Sequence, residues 1–200
     1  MTQKPKLSHQ LEILSKKIVD KNYTWGELQQ ELGLNAPCLA LLLLSVPFLQ
    51  PVPLPALSSI LGLLMVLLGV DITGYRNISI TAKFHKLHLP HRFLQIMFKT
   101  VSFILSKAEY LVRPRFEKIV DHQAVHFICG LIIMISSLFL ALPLPPGFNF
   151  PPALVCFILS LGLLEKDLVL IFLGFAIFTL EASVLIWLID WIQKFIYSLK

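Results

Sequence analysis

Charge is what this sequence has least of. Asp, Glu, Lys and Arg make up 14% of its 200 residues, against about 25% in a soluble domain. The shortfall is local. Residues 37–70 carry no charged side chain before Asp71 closes the run, residues 127–164 carry none, and residues 168–189 carry Glu181 alone. A soluble fold of this size has no easy way to hide so much uncharged sequence. Cysteine is scarce too. Cys38, Cys129 and Cys156 each lie inside an apolar run and form no CxxC pair, which points away from a disulfide framework and from structural zinc and toward small buried hydrophobes. There is no Gly-x-Ser-x-Gly, P-loop or dinucleotide fingerprint and no evident nucleophile–base pair. The reading therefore assigns no catalytic residue, no cofactor and no metal. Residues 1–33 are polar, without an apolar stretch ahead of a small-residue cleavage site, so they are not read as a signal peptide. The first hydrophobic segment is expected to serve as the targeting signal.

What the chain does have is apolar sequence punctuated by proline: 56% hydrophobic residues and 13 prolines. The expectation is an all-α integral membrane protein with two pseudo-repeated, proline-broken helical hairpins, amphipathic helices and a C-terminal transmembrane helix. Residues 1–34 form a cytoplasmic amphipathic region. There Leu7, Leu11, Leu14 and Ile18 recur at helical spacing, and Thr24 precedes Glu27 as in a capping box opening a short helix over 25–32. Residues 35–70 are the first broken hairpin. Its apolar runs, 36–49 and 53–70, are shorter than the roughly 20 residues of a spanning helix, with Pro47, Pro51, Pro53 and Pro55 in and around the gap. Two spanning helices or a re-entrant pair of half-depth helices both fit, the second only with protein around its irregular backbone.

Residues 71–125 are a basic linker, with nine Lys and Arg against four Asp and Glu, and an amphipathic or interfacial helix over 92–112. Residues 126–164 are the second broken hairpin, its runs 127–142 and 153–164 separated by Pro143, Pro145, Pro146, Gly147, Pro151 and Pro152. Residues 165–200 hold the one segment, 168–189, whose length fits a simple transmembrane helix. Trp187 and Trp191 sit near its end, where interfacial anchors belong.

The two broken regions resemble each other. Each has an apolar run, a proline cluster, a Pro-Ala-Leu (55–57 and 152–154) and a run ending Gly-Leu-Leu. Two such segments in corresponding halves point to a binding site at a repeat interface; the plain alternative is two ordinary helical hairpins. Basic residues concentrate in the linker and before Trp25, which places both on the cytoplasmic side and brings the first hairpin back to its starting side. The side of the C-terminus stays open. The net charge of +5 suits anionic lipid headgroups rather than nucleic acid.

Five residues stand out as substrate-binding candidates. Arg113 and Arg115 flank Pro114, and guanidinium forks suit phosphate oxygens; the alternative is basic residues marking the cytoplasmic interface. Glu181 lies within the last apolar segment, where a carboxylate is costly and usually faces protein or a water path. It could relay protons, pair with an arginine, or lie near enough to the helix exit to reach water. Pro55 and Pro152 open the second runs, where broken helices would expose amides to a ligand. Glu165 and Asp167 are read as capping the next helix, and Ser58-Ser59 and Ser136-Ser137 as aids to helix packing. His85, His88 and His91 recur every three residues but are interrupted by Pro90 and lack a carboxylate neighbour.

In order and spacing the motifs resemble the ExoD family of bacterial exopolysaccharide synthesis proteins. Gly26-Glu27-Leu28 stands at its N-terminal Gly-Glu-Leu. Pro47, Pro53 and Pro55 stand in its first proline cluster, with Gly62 and Gly69 after it. Arg113-Pro114-Arg115, Leu142-Pro143-Leu144-Pro145 and Gly162-Leu163-Leu164-Glu165-Lys166-Asp167 are similar to its later motifs. The chain departs from the pattern at Pro55-Ala56, where Pro-Gly is usual, and lacks the family's Gln and Trp after the first hairpin. The resemblance implies a bacterial inner-membrane, multi-pass protein with a cytoplasmic N-terminus that acts in envelope polysaccharide production. The expected partners are membrane lipids, a second copy in a homodimer, and an anionic or lipid-linked saccharide intermediate that it would transport. The alternative is a non-catalytic membrane scaffold for the synthetic enzymes.

Overall fold

The computed structural model describes residues 23–24, 27, 35–49, 55–74, 88–89, 99–100, 102–104, 106–107, 116–142 and 147–198. Apart from one pair of two-residue strands, its regular structure is helical. Strands β1 (Tyr23–Thr24) and β2 (His88–Leu89) pair antiparallel, with Thr24 opposite His88, and tie the N-terminal region to the basic linker. His85 and His91 lie outside the described residues. The expected capping box is formed: Glu27 N–H donates to Thr24 Oγ1 at 3.3 Å, and the Glu27 carboxylate accepts from Thr24 N at 2.8 Å. The helix over 92–112 falls largely outside the described residues, of which 99–100, 102–104 and 106–107 are helical.

Helix α1 (Asn35–Ser45) is buried on every face, from Ala36 to Ser45 with Leu43 partly covered. Pro37 falls in its first turn, where a missing N–H costs nothing. Pro47 cannot donate to the carbonyl of Leu43, and the chain tightens there into a 3-10 turn, Val46–Leu49. Helix α2 (Pro55–Ile72) follows and ends at Gly74, whose φ of 68° is a left-handed conformation that glycine adopts without a Cβ penalty. A single turn, α3 (Glu117–Val120), leads into α4 (Gln123–Ala141), capped by His122 Nδ1 accepting from Ala124 N at 3.2 Å. Leu142, at ψ 143°, is already extended, as the residue before Pro143 must be. Helix α5 (Phe150–Leu164) and helix α6 (Leu168–Ser198) complete the chain.

Among the described residues no proline interrupts the middle of an α-helix. Pro55 opens α2, and Pro151 and Pro152 lie in the first turn of α5, where the first N–H groups have no intrahelical partner to lose. The apolar runs also undercount two helices. The third segment begins at Gln123 rather than Phe127, because polar and imidazole side chains continue the first turn. Among the described residues α4 is the helix long and apolar enough to cross a membrane, with Asn35–Leu49, Ser58–Ile72, Phe150–Leu164 and Leu168–Val184 as shorter apolar helices. Helix α6 runs 31 residues, about 46 Å at 1.5 Å per residue.

Helices α1, α2, α4 and α5 form a closed ring of neighbours: α1 packs on α2, α2 on α4, α4 on α5 and α5 on α1, while α6 lies against α5 and touches α4. The most extensive pair, α2 with α4, is antiparallel and meets through glycine. A Cβ on Gly62 would come within 2.7 Å of the Ala141 backbone nitrogen, and one on Gly130 within 2.8 Å of the Thr73 nitrogen. Small residues let backbones approach this closely. The start of α2 therefore sits beside the end of α4, so both proline-rich connections leave the same end of the ring. The α5–α6 hairpin is likewise antiparallel, with Gly162 against Ile171 and Gly174 against Leu159. Replacing Gly130 by Val should destabilise the protein by about 1–3 kcal/mol or more, since the obstruction is backbone. Alanine at Gly147 (φ 96°), where nothing lies within 4 Å of the new Cβ, should show only the smaller penalty of a strained turn. Paired thermal unfolding curves of the two variants check this.

Candidate functional site: a buried carboxylate between three helices

Glu181 faces the bundle. Its residue is 4% exposed, whereas Leu180 beside it is 67% exposed. Opposite it, α4 presents Ser136, fully buried, whose Oγ donates to Glu181 Oε2 at 2.9 Å. The second oxygen, Oε1, is buried without a hydrogen-bond partner. The next residue of α4, Ser137, has its Oγ 3.5 Å from Cys156 Sγ on α5, and that thiol lies 3.9 Å from the carbonyl of Ile133. Ser160 Oγ turns back to the Cys156 carbonyl at 2.6 Å. Three helices thus converge small polar groups on one carboxylate, fixing one of its oxygens and leaving the other open. An oxygen in that state can hold a proton or a cation, or accept from a ligand hydroxyl or amide.

Ser136 joins two helices, as the packing reading expects, but through a carboxylate that this reading did not name. Small hydroxyls in apolar helices commonly turn to their own backbone, as Thr179 and Ser183 do on α6. Ser136 instead reaches across to another helix, because α6 places a stronger acceptor opposite it. Of the other candidates, Pro152 is buried in the first turn of α5 and brings no donor to this cluster. Pro55 begins α2. Arg113 and Arg115 lie outside the described residues. Among the described residues no Lys, Arg or His is ion-paired with Glu181, and no three of His, Cys, Asp and Glu form a group suited to a metal ion.

At the α5–α6 turn the sequence reading missed an ionic clasp. Lys166 adopts φ 53°, unusual for a residue with a Cβ, and Asp167 N–H donates back to the Gly162 carbonyl at 2.9 Å, closing α5 in the Schellman manner. Asp167 Oδ1 then caps α6 through Val169 N at 2.9 Å, as expected of a carboxylate there. The Lys166 ammonium meets Glu117 Oε1 and Asp121 Oδ2, each at 2.7 Å. Glu117 and Asp121 stand four residues apart, one turn along the chain, which is the sequence signal that could have suggested a shared partner. Partial burial draws the Lys166 pKa down, but the hydrogen bonds and charges of Asp121 and Glu117 outweigh it, and the net shift is upward.

These features define a class: an all-helical bundle with a partly satisfied carboxylate buried among its helices and its polar residues gathered at the helix turns. The chain belongs to the ExoD family, described as exopolysaccharide synthesis, whose sequence model matches residues 7–187. It is similar to Protein ExoD of Rhizobium meliloti, with 29% identity over 146 residues, 72% of this chain and 61% of that protein. It is also similar to an uncharacterized protein of Synechocystis, with 25% identity over 130 residues, 64% of this chain and 61% of that one. The chain spans about three fifths of the length of each of these relatives. No solved structure matches it.

Two outcomes follow. Ser136→Ala leaves the carboxylate without its hydrogen bond and should cost about 1–3 kcal/mol, measured by thermal unfolding, whereas Thr179→Ala should cost little because its hydroxyl only returns to its own helix. The Lys166 clasp, being half-exposed, should contribute no more than about 1 kcal/mol and fade with salt. Because its folded pKa is raised, that contribution should be full below the lysine's ordinary pKa of about 10.4 and be lost as pH rises through the higher folded value. Lys166→Met should erase this alkaline loss in pH-resolved unfolding curves.

Proposed function

We propose that this chain is a multi-pass protein of the bacterial inner membrane, with a cytoplasmic N-terminus, that moves an anionic or lipid-linked intermediate of exopolysaccharide production. The observation that carries the reading is the combination of an apolar outside with a polar inside. On α4 Phe127, Ile128, Leu131, Ile135 and Leu138 are all exposed at one-turn spacings. Ile60, Leu63 and Leu64 of α2 and Phe172, Leu173 and Leu180 of α6 are exposed as well. Contiguous apolar surface on this scale is foreign to soluble monomers and suits lipid. The exposed hydroxyls of Thr179 and Ser183 are satisfied by carbonyls of their own helix at 2.7 and 2.8 Å, as lipid contact demands. Glu181, Ser136 and Ser137 are instead buried between the helices.

The ring of helices supports an internal repeat. Exchanging the α1–α2 hairpin with the α4–α5 hairpin carries the α1–α5 contact into α4–α2 and the α1–α2 contact into α4–α5, and all four contacts are present. With both connections at one end, this is the parallel kind of repeat, related by an axis along the bundle, and sites in such proteins lie near the repeat interface. Helix α1, too short to span but wrapped in protein, meets the condition for a half-depth segment. Membership of the exopolysaccharide synthesis family supplies the process, and the excess of basic residues in the linker suits an anionic cargo on the cytoplasmic side.

The test is single-cysteine accessibility through residues 45–58 and 142–154 in a cysteine-free background, paired with uptake of a labelled lipid-linked saccharide into proteoliposomes. The reading expects hydrophilic thiol reagents to reach mid-depth positions, saccharide to protect them, and uptake above that of empty liposomes. Reaction of both clusters from the far side only, with no uptake, would replace transport by the scaffold reading.

A further inference from the structure

Packing does not account for the open oxygen of Glu181. The side chain is 96% buried by its 4% exposure, and Oε2 is held by Ser136 while Oε1 meets no donor. An ionised carboxylate is strongly disfavoured in such surroundings unless paired with charge or several hydrogen bonds. The elements packed against it offer little of either. From α4 comes the Ser136 hydroxyl, with Ser137 beside it turned to the Cys156 thiol of α5, and among the described residues no basic side chain forms an ion pair with Glu181. A replacement by leucine would pack with no such penalty, so the carboxyl group supplies something that an apolar residue cannot.

We propose that Glu181 is a reversible proton-binding site in which Oε1 gains and loses a proton as the bundle opens and closes to water. The bookkeeping is simple: the carboxylate takes a proton from hydronium and releases water, then returns the proton to water on the other side of the cycle. Ser136 suits both states, because Oε2 can accept from its hydroxyl whether or not Oε1 carries a proton. Ser137 and Cys156 hold the neighbouring positions of α4 and α5 at 3.5 Å from each other, which keeps the wall beside the carboxyl group polar yet uncharged. The inference deepens the transport reading, since a proton exchanged within the membrane can drive movement of cargo, but binding itself does not depend on the identity of that cargo.

The probe is dicyclohexylcarbodiimide, an apolar reagent that adds to protonated carboxyl groups in membranes, applied to the full-length protein in liposomes and mapped by mass spectrometry. The expected result is an adduct at Glu181 that is lost progressively as pH is raised, is indifferent to sodium at constant pH, and is absent from Glu181→Gln. The same variant should lose a carboxylic C=O stretching band from the infrared spectrum recorded at acid pH. In Ser136→Ala the adduct should persist with its pH dependence displaced, which a purely structural serine would not produce. Protection by sodium at fixed pH would overturn the proposal in favour of a metal-cation site. An adduct unchanged across the pH range would overturn exchange, and absence of both adduct and infrared band would overturn protonation altogether. Labelling as expected with no saccharide uptake would leave the proton site standing and remove the transport reading.

Discussion

The rest of this structure depends on a seam without side chains. Where α2 crosses α4, Gly62, Gly69 and Gly130 leave so little space that an added Cβ would strike the backbone or a packed side chain within 3 Å. Helices that meet through glycine gain packing over long stretches, and this pair is accordingly the most extensive in the bundle. The seam sets the position of α4, and α4 carries Ser136 and Ser137. The carboxylate on α6 therefore meets a partner whose helix is positioned by its close contact with α2.

Polar groups are partitioned with corresponding economy. At the helix turns, charge is used freely: Lys166 bridges Glu117 and Asp121, and Asp167 caps α6. Such exposed pairs are individually weak, and their effect is to fix where the α5–α6 hairpin begins. Within α6, Glu181 is instead buried. Hydroxyls elsewhere in the interior fold back onto carbonyls, as with Ser45 on Leu42 and Ser160 on Cys156, whereas Glu181 Oε1 is buried without a hydrogen-bond partner. An acceptor left open beside a held neighbour gives the bundle a group whose state can change without rearranging its packing.

The hairpins show why proline in an apolar run is easily misread. Counted along the sequence, Pro47 to Pro55 and Pro143 to Pro152 look like interruptions of helices. In three dimensions Pro55, Pro151 and Pro152 are helix beginnings, positions at which proline's fixed φ favours the helix. Pro47 shapes a turn, by withholding one hydrogen bond.

Much was determined by the sequence alone. The helical class follows from long uncharged runs that can satisfy their backbones internally. The Thr24–Glu27 box and the Asp167 cap follow from local spacing, since both partners lie within a few residues along the chain. The cost of burying Glu181 follows from its apolar neighbours in sequence. Only the tertiary structure decided the rest. Ser136 and Glu181 are 45 residues apart and Lys166 and Asp121 as many, and no local rule relates residues on different helices. Which face of each helix turns inward, and hence which hydroxyl meets the carboxylate and which its own backbone, was fixed by close packing such as the glycine contacts between α2 and α4 and between α5 and α6. In runs apolar on all sides, hydrophobic periodicity carries no sign of direction, so close packing had to choose it.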